Sequence, residues 1–136
     1  MEALDIGCEG IVVTNHAGRQ VDEAVGSLEM LPEIAEAVGD EMTIIFDSGV
    51  RTGSDVFKAI ALGADAVAVG RLYVWGMANE GEHSCRHVMK SLLADLDITM
   101  IVGGYQSIQE DVKGNKDVLR YNPYRSVLGK GKHAKF

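Results

Sequence analysis

The sequence predicts an α/β fold, the C-terminal part of a (β/α)8 barrel with parallel strands inside and helices outside, and three observations carry that prediction. The first is a repeat. Ile6-Gly7-Cys8-Glu9-Gly10-Ile11-Val12-Val13 returns, type for type, as Leu62-Gly63-Ala64-Asp65-Ala66-Val67-Ala68-Val69. Each copy reads as a helix end, a glycine stop and a buried strand, and repetition of such a unit means stacked βα modules. The second is that the strands are continuous apolar runs, each followed by helical sequence, as expected for a parallel sheet covered on both faces. The third is that Arg19, Arg51 and Arg71 each stand shortly after one of these runs. A doubly wound sheet accommodates the first two observations, but polar groups at the C-terminal end of every strand favour the barrel, whose loops pool there. Such barrels need about 250 residues. At 136 residues, the chain is expected to be roughly the C-terminal half of one.

Taken in order, residues 3–6 read as the last turn of a helix closed by a left-handed Gly7. The strand Gly10–Val13 leads into the loop 14–22. Pro32 is expected in the first turn of a short helix carrying Ile34, Ala35 and Val38 and stopping at Gly39. The strand 42–46 opens into the turn 47–54, where Ser54 or Thr52 caps a helix with Asp55 in its first turn and Val56, Phe57 and Ile60 on its apolar side. The backbone N–H groups of that turn are expected to face an anion. A third strand, 66–69, ends in Gly70-Arg71. An apolar turn, 72–76, then leads to a long amphipathic helix from about Glu82, with Val88, Met89, Leu92, Leu93 and Leu96 at helical spacing. Periodicity stops at Gly103-Gly104. Residues 1–105 are therefore expected to form the barrel portion and 106–136, with its run Tyr121-Asn122-Pro123-Tyr124, a basic tail that either docks on an acidic neighbouring subunit or is a solvated end segment.

Composition narrows the function classes. A hydrophobic share of 46% with 24% charged residues is ordinary for a globular domain. No apolar run reaches the roughly 18 residues of a membrane span, and the acidic start lacks the basic region of a signal peptide, so a cytoplasmic address is expected. The net charge of −7 argues against nucleic acid as a partner. Acidic residues heavily outnumber basic ones up to residue 105, and the balance inverts beyond it. Cys8 and Cys85 have no metal-ligand spacing and are expected to be free, buried thiols. His83 and His87, four apart on a helix, lack a third ligand, so no metal site is expected. Val74 and Trp75 are expected to pack against the barrel.

The chemistry is expected in the loop after the first strand. There His16 and Arg19 stand three positions apart, so one group can move a proton while the other holds a carboxylate or phosphate in a planar fork. Such a pair is ordinarily solvated. The arginines at the other two strand ends raise its standing.

With the loops laid out, the chain resembles the FMN-dependent α-hydroxy-acid oxidising family, which includes glycolate oxidase, lactate oxidase and lactate 2-monooxygenase. The carriers are Thr14-Asn15-His16-Ala17-Gly18-Arg19-Gln20, Asp47-Ser48-Gly49-Val50-Arg51, Asp55-Val56-Phe57-Lys58-Ala59, and Leu62 to Ala66 leading to Gly70-Arg71. The run His87 to Asp95 and the long tail are nearest to lactate 2-monooxygenase-like members. The resemblance implies FMN as cofactor, a small 2-hydroxy acid such as lactate or glycolate as substrate, a keto acid or its decarboxylated product, and a homo-oligomer when complete. It implies His16 as base and Arg19 as carboxylate clamp. It also implies Thr14, Asp47, Ser48, Gly49, Val50, Arg51, Gly70 and Arg71 at the cofactor, Asp47 on ribityl hydroxyls and the later arginines on phosphate. Ala17 replaces the family's usual Gly, and Leu72 a common Pro. The family's flavin-contacting lysine, substrate tyrosines and histidine-orienting carboxylate belong to earlier strands. A truncated, noncatalytic remnant is the competing expectation.

Overall fold

The structure, a computed structural model, describes residues 2–120. The expected run Tyr121–Tyr124 and most of the basic tail lie outside the described residues. A short helix α1 (Glu2–Asp5) precedes strand β1 (Gly10–Val13). Helix α2 (Ser27–Val38), strand β2 (Thr43–Phe46), helix α3 (Gly53–Ala61) and strand β3 (Ala66–Val67) follow, and then helix α4 (Arg71–Gly103). The three strands form one parallel sheet in the order β1-β2-β3. Register pairs Ile11 with Ile44, Val13 with Phe46 and Phe46 with Val67.

Because side chains alternate along a strand, this register sorts the sheet into two faces. Ile11, Val13, Ile44, Phe46 and Val67 share the helix side, where Ile44 is fully buried, and they meet Leu31 and Val38 of α2 and Ala59 of α3. Val12, Ile45 and Ala66 share the other side, and Val12 is 55% exposed. The expectation of strands buried on both faces is thus met on one face only. In a barrel the second face is covered by side chains from the remaining strands, which these residues do not include.

Two helix boundaries differ from expectation. Helix α2 begins at Ser27, so Pro32 lies in its second turn rather than its first. Helix α4 begins at Arg71, so 72–76 is helix and not a turn. It is broken at Glu80 and Gly81, where non-helical backbone (Gly81 φ 62°, ψ −137°) folds the chain back. Gly76 then lies against Cys85, where a Cβ would come within 3.0 Å of its Cα. The third strand is also shorter than expected, although Ala68 N–H still donates to Phe46 O at 2.8 Å.

A second core lies between α3, α4 and the segment after α4. Phe57, Ile60, Ala61 and Met100 are buried there with Val112, which is fully enclosed. Gly104, left-handed at φ 79°, ends α4, and the chain returns through a π-helical turn (Ile108–Val112) and a 3₁₀ turn (Lys116–Val118). Tyr105 packs on Phe57 with ring centroids 5.4 Å apart, and Lys113 pairs with Asp65. Packing therefore continues across the compositional change at residue 106. Cys8 is exposed and Cys85 partly exposed, so neither free thiol is buried as expected.

Candidate active site

All three strands end on one side of the sheet, and the loops that follow them surround a cavity of about 270 Å³. From β1 come His16, Ala17 and Arg19; from β2, Asp47, Ser48, Gly49, Val50 and Arg51; from β3, Ala68, Gly70, Arg71, Leu72 and Trp75. Nine of the ten residues expected at the site therefore share one cavity. The tenth, Thr14, is bonded to its wall: its hydroxyl donates to Asp47 Oδ2 at 2.6 Å and lies 3.0 Å from Ser48 Oγ.

The loop carrying His16 and Arg19 is a 3₁₀ turn (His16–Gly18) of unusual backbone. His16, Ala17 and Gly18 have φ of 51°, 58° and 76°. Their N–H groups donate to Thr14 Oγ1, Ser48 Oγ and Asn15 Oδ1 at 2.9, 3.0 and 3.1 Å. Both His16 and Arg19 are exposed, at the mouth of the cavity.

The loop after β2 is anchored from behind. Ser27, buried at the start of α2, donates its hydroxyl to Asp47 O at 2.9 Å. Val50 is buried in the core, so only its backbone is free to face a ligand. The N-terminus of α3 is closed. Thr52 and Asp55 form a reciprocal capping box, Asp55 Oδ2 accepts from Arg51 and Thr52 N–H, and Asp95 of α4 accepts from Gly53 N–H at 2.6 Å. Burial opposes ionisation of Asp55, but the Arg51 N–H, the Thr52 hydroxyl, the Lys58 charge and the Thr52 N–H outweigh it, so its carboxyl titrates below the ordinary value. Carboxylates of the chain thus occupy the Arg51, Thr52 and Gly53 N–H groups, so the anion expected at this turn is left the N–H groups that precede Arg51.

Helix α4 supplies the open alternative. Its N-cap, Gly70, has no side chain to take the first-turn N–H groups, which carry partial positive charge and face the cavity with Arg71. A Cβ added at Gly70 or Gly49 would meet nothing within 4 Å, so both backbones are open to an approaching group.

These residues suit one end of a phosphorylated flavin. Guanidinium groups of Arg51 and Arg71 and an uncapped helix terminus provide for a dianion. Asp47 Oδ1, without a hydrogen bond among the described residues, is an acceptor for hydroxyls of a polyol chain. Trp75, 57% exposed, and Leu72 were not expected here. Trp75 follows Arg71 by four residues and shares its helix face, a relation legible only if the helix is started at Arg71.

Comparison with known proteins agrees with this construction. Residues 1–116 match the family model for FMN-dependent dehydrogenases. The chain is 52% identical over 126 residues to the FMN-dependent alpha-hydroxy acid dehydrogenase qulF of Penicillium citrinum, covering 93% of this chain and 31% of that protein. It is 47% identical over 126 residues to the L-lactate oxidase of Streptococcus iniae, covering 93% of this chain and 30% of the oxidase. Crystal structures of a mandelate oxidase superpose with a TM-score of 0.76 at 44% identity, over 79% of this chain and 33% of that one. The chain thus spans just under a third of the length of the curated relatives it matches. It belongs to the FMN-dependent dehydrogenase family, whose α-hydroxy-acid oxidases and dehydrogenases it resembles over nearly all of its described length.

Proposed function

We propose that this chain carries the base, the carboxylate clamp and the phosphate end of an active site that oxidises a small L-2-hydroxy acid, of the lactate or glycolate type, to its keto acid. The observation that carries the reading is that His16 and Arg19 line the same cavity as Arg51, Arg71 and the open α4 terminus. An imidazole beside guanidinium groups in one cavity supports a reading of proton transfer next to anion binding. FMN, when bound, supplies the acceptor for the two electrons lost by the α-carbon.

The chain's own residues do the rest. A hydroxy acid arrives ionised, and Arg19 holds its carboxylate in a two-pronged contact. Oxidation sheds two electrons and two protons, and His16, the imidazole among the strand-end side chains, takes one proton from the substrate while the other leaves with the electrons to the acceptor. Arg51, Arg71 and the Gly70 backbone hold the phosphate, the Gly49 and Val50 backbone lies along the cofactor, and Asp47 accepts from the ribityl hydroxyls.

The test is a chimera in which residues 1–116 replace the matching segment of the S. iniae L-lactate oxidase, followed by stopped-flow reduction with lactate. The chimera is expected to hold FMN and to be reduced. His16→Gln should keep FMN while flavin reduction slows by about 10²-fold or more, and Arg19→Lys should chiefly raise the apparent dissociation constant of lactate. Reduction of the His16→Gln chimera at the parent rate overturns the assignment of the base.

A further inference from the structure

Left-handed backbone is costly for any residue with a Cβ, so a residue that holds it without being glycine asks for a reason. Ser48 is such a residue, at φ 93°, followed by Gly49 at φ 84°. Glycine would take φ 93° without strain. What serine adds is a hydroxyl, and that hydroxyl is used: it accepts the Ala17 N–H at 3.0 Å and lies 3.0 Å from Thr14 Oγ1 and 3.4 Å from Asp47 Oδ2.

The three left-handed N–H groups of the His16 loop are held by Thr14, Ser48 and Asn15. Asn15 holds Gly18 from within that same loop, whereas Thr14 holds the His16 N–H and reaches across to Asp47 Oδ2 at 2.6 Å, a first tie to the β2 loop. Ser48 comes from the end of the neighbouring strand, and its backbone is fixed in turn by Ser27 on the Asp47 carbonyl. The tether therefore runs from the α2 terminus through the β2 loop to the backbone between His16 and Arg19. We infer that Ser48 is a positioning residue, whose hydroxyl sets the His16–Arg19 loop against the cavity instead of contacting the cofactor. The inference rests on the reading of His16 as base and Arg19 as clamp.

Ser48→Gly tests it, because that change removes both the hydroxyl and the strain. In the full 136-residue chain, hydrogen exchange followed by mass spectrometry should show the Ala17 amide exchanging at least about 10-fold faster, with the melting temperature at or above that of the parent. In the FMN-loaded chimera, Ser48→Gly should keep the parent affinity for FMN while flavin reduction at saturating lactate slows about 10-fold. A hydroxyl serving only stability would lower the melting temperature and leave the rate, and a hydroxyl contacting the cofactor would weaken FMN; either result overturns the inference. An unchanged reduction rate in Ser48→Gly, with His16→Gln still slow, sinks this inference alone. An unchanged rate in His16→Gln sinks the assignment of the base instead.

Discussion

Ala17 sits at φ 58°, ψ 34°, between two other left-handed residues. Its methyl is tolerated only at the cost that a Cβ meets in this region, about 1 kcal/mol. Ala17→Gly should therefore stabilise the fold by about that amount, read as a higher urea midpoint at unchanged slope; a lower midpoint would show that the methyl makes a contact outweighing its strain. The residue types of this loop were legible in the sequence. An imidazole and a guanidinium after an apolar run announce chemistry, whereas the role of Thr14 was not readable, because its hydroxyl is committed to Asp47 and the His16 N–H across two loops. Residue type says what a side chain is able to do, and only its neighbours decide what it does.

Helices α3 and α4 are locked at one point. A Cβ on Gly53 would lie 2.0 Å from Leu96 N, and Asp95 caps the same residue. Gly53→Ala is expected to destabilise by about 3 kcal/mol through forced separation of the helices, and Asp95→Ala by about 1 kcal/mol through loss of the cap. Thermal denaturation ranks the two, and equal small effects would mean that the helices yield freely. Acid should act on the same elements. Asp65 is pushed up by burial but held below its ordinary 3.8 by the Ile44 N–H and by Lys113 as hydrogen-bond donor and charge. A carboxylate with a lowered folded-state pKa stabilises fully above its unfolded value and loses that contribution as pH falls through the folded one. The melting temperature should accordingly hold down to about pH 5 and then drop, with a shallower drop in Asp65→Asn; parallel curves for the two proteins would remove Asp65 from the acid response. Thr52 was legible as one of two candidate caps, beside Ser54, with Asp55 in the first turn, because capping signals are local; the structure selects Thr52 and closes the box with Asp55. Asp95, 42 residues from its partner, left no local signal.

At the scale of the whole molecule, the helix face of the sheet is packed and the other is open, with Val12 55% exposed. The cavity gathers an imidazole, three guanidinium groups and an open helix terminus, yet the chain covers under a third of its relatives. Alone, the 136-residue chain is expected to form no stoichiometric, slowly dissociating complex with FMN. Flavin fluorescence checks this, and quenching of Trp75, the single tryptophan, gives an independent reading from the cavity wall. A stable yellow complex would show that the three strand-end loops suffice.

The apolar runs, the glycine stops and the repeated helix-to-strand unit were enough to establish a parallel α/β arrangement with polar loops gathered at the strand ends, because hydrophobic period and turn residues are properties of neighbouring positions. The motifs were enough to establish the family. Which helix terminus stands open was not available from those properties. Both α3 and α4 follow a strand and a glycine, and the difference lies in Asp55 and Asp95 occupying one set of N–H groups while Gly70 brings no side chain to the other. Nor was the tether through Ser48 available, since a serine after a strand reads as a polar loop residue until its backbone angle and its distance to Ala17 are known. Those facts come from bringing distant segments together. A hydrogen bond between residues 31 positions apart has no period, and only the folded chain holds it.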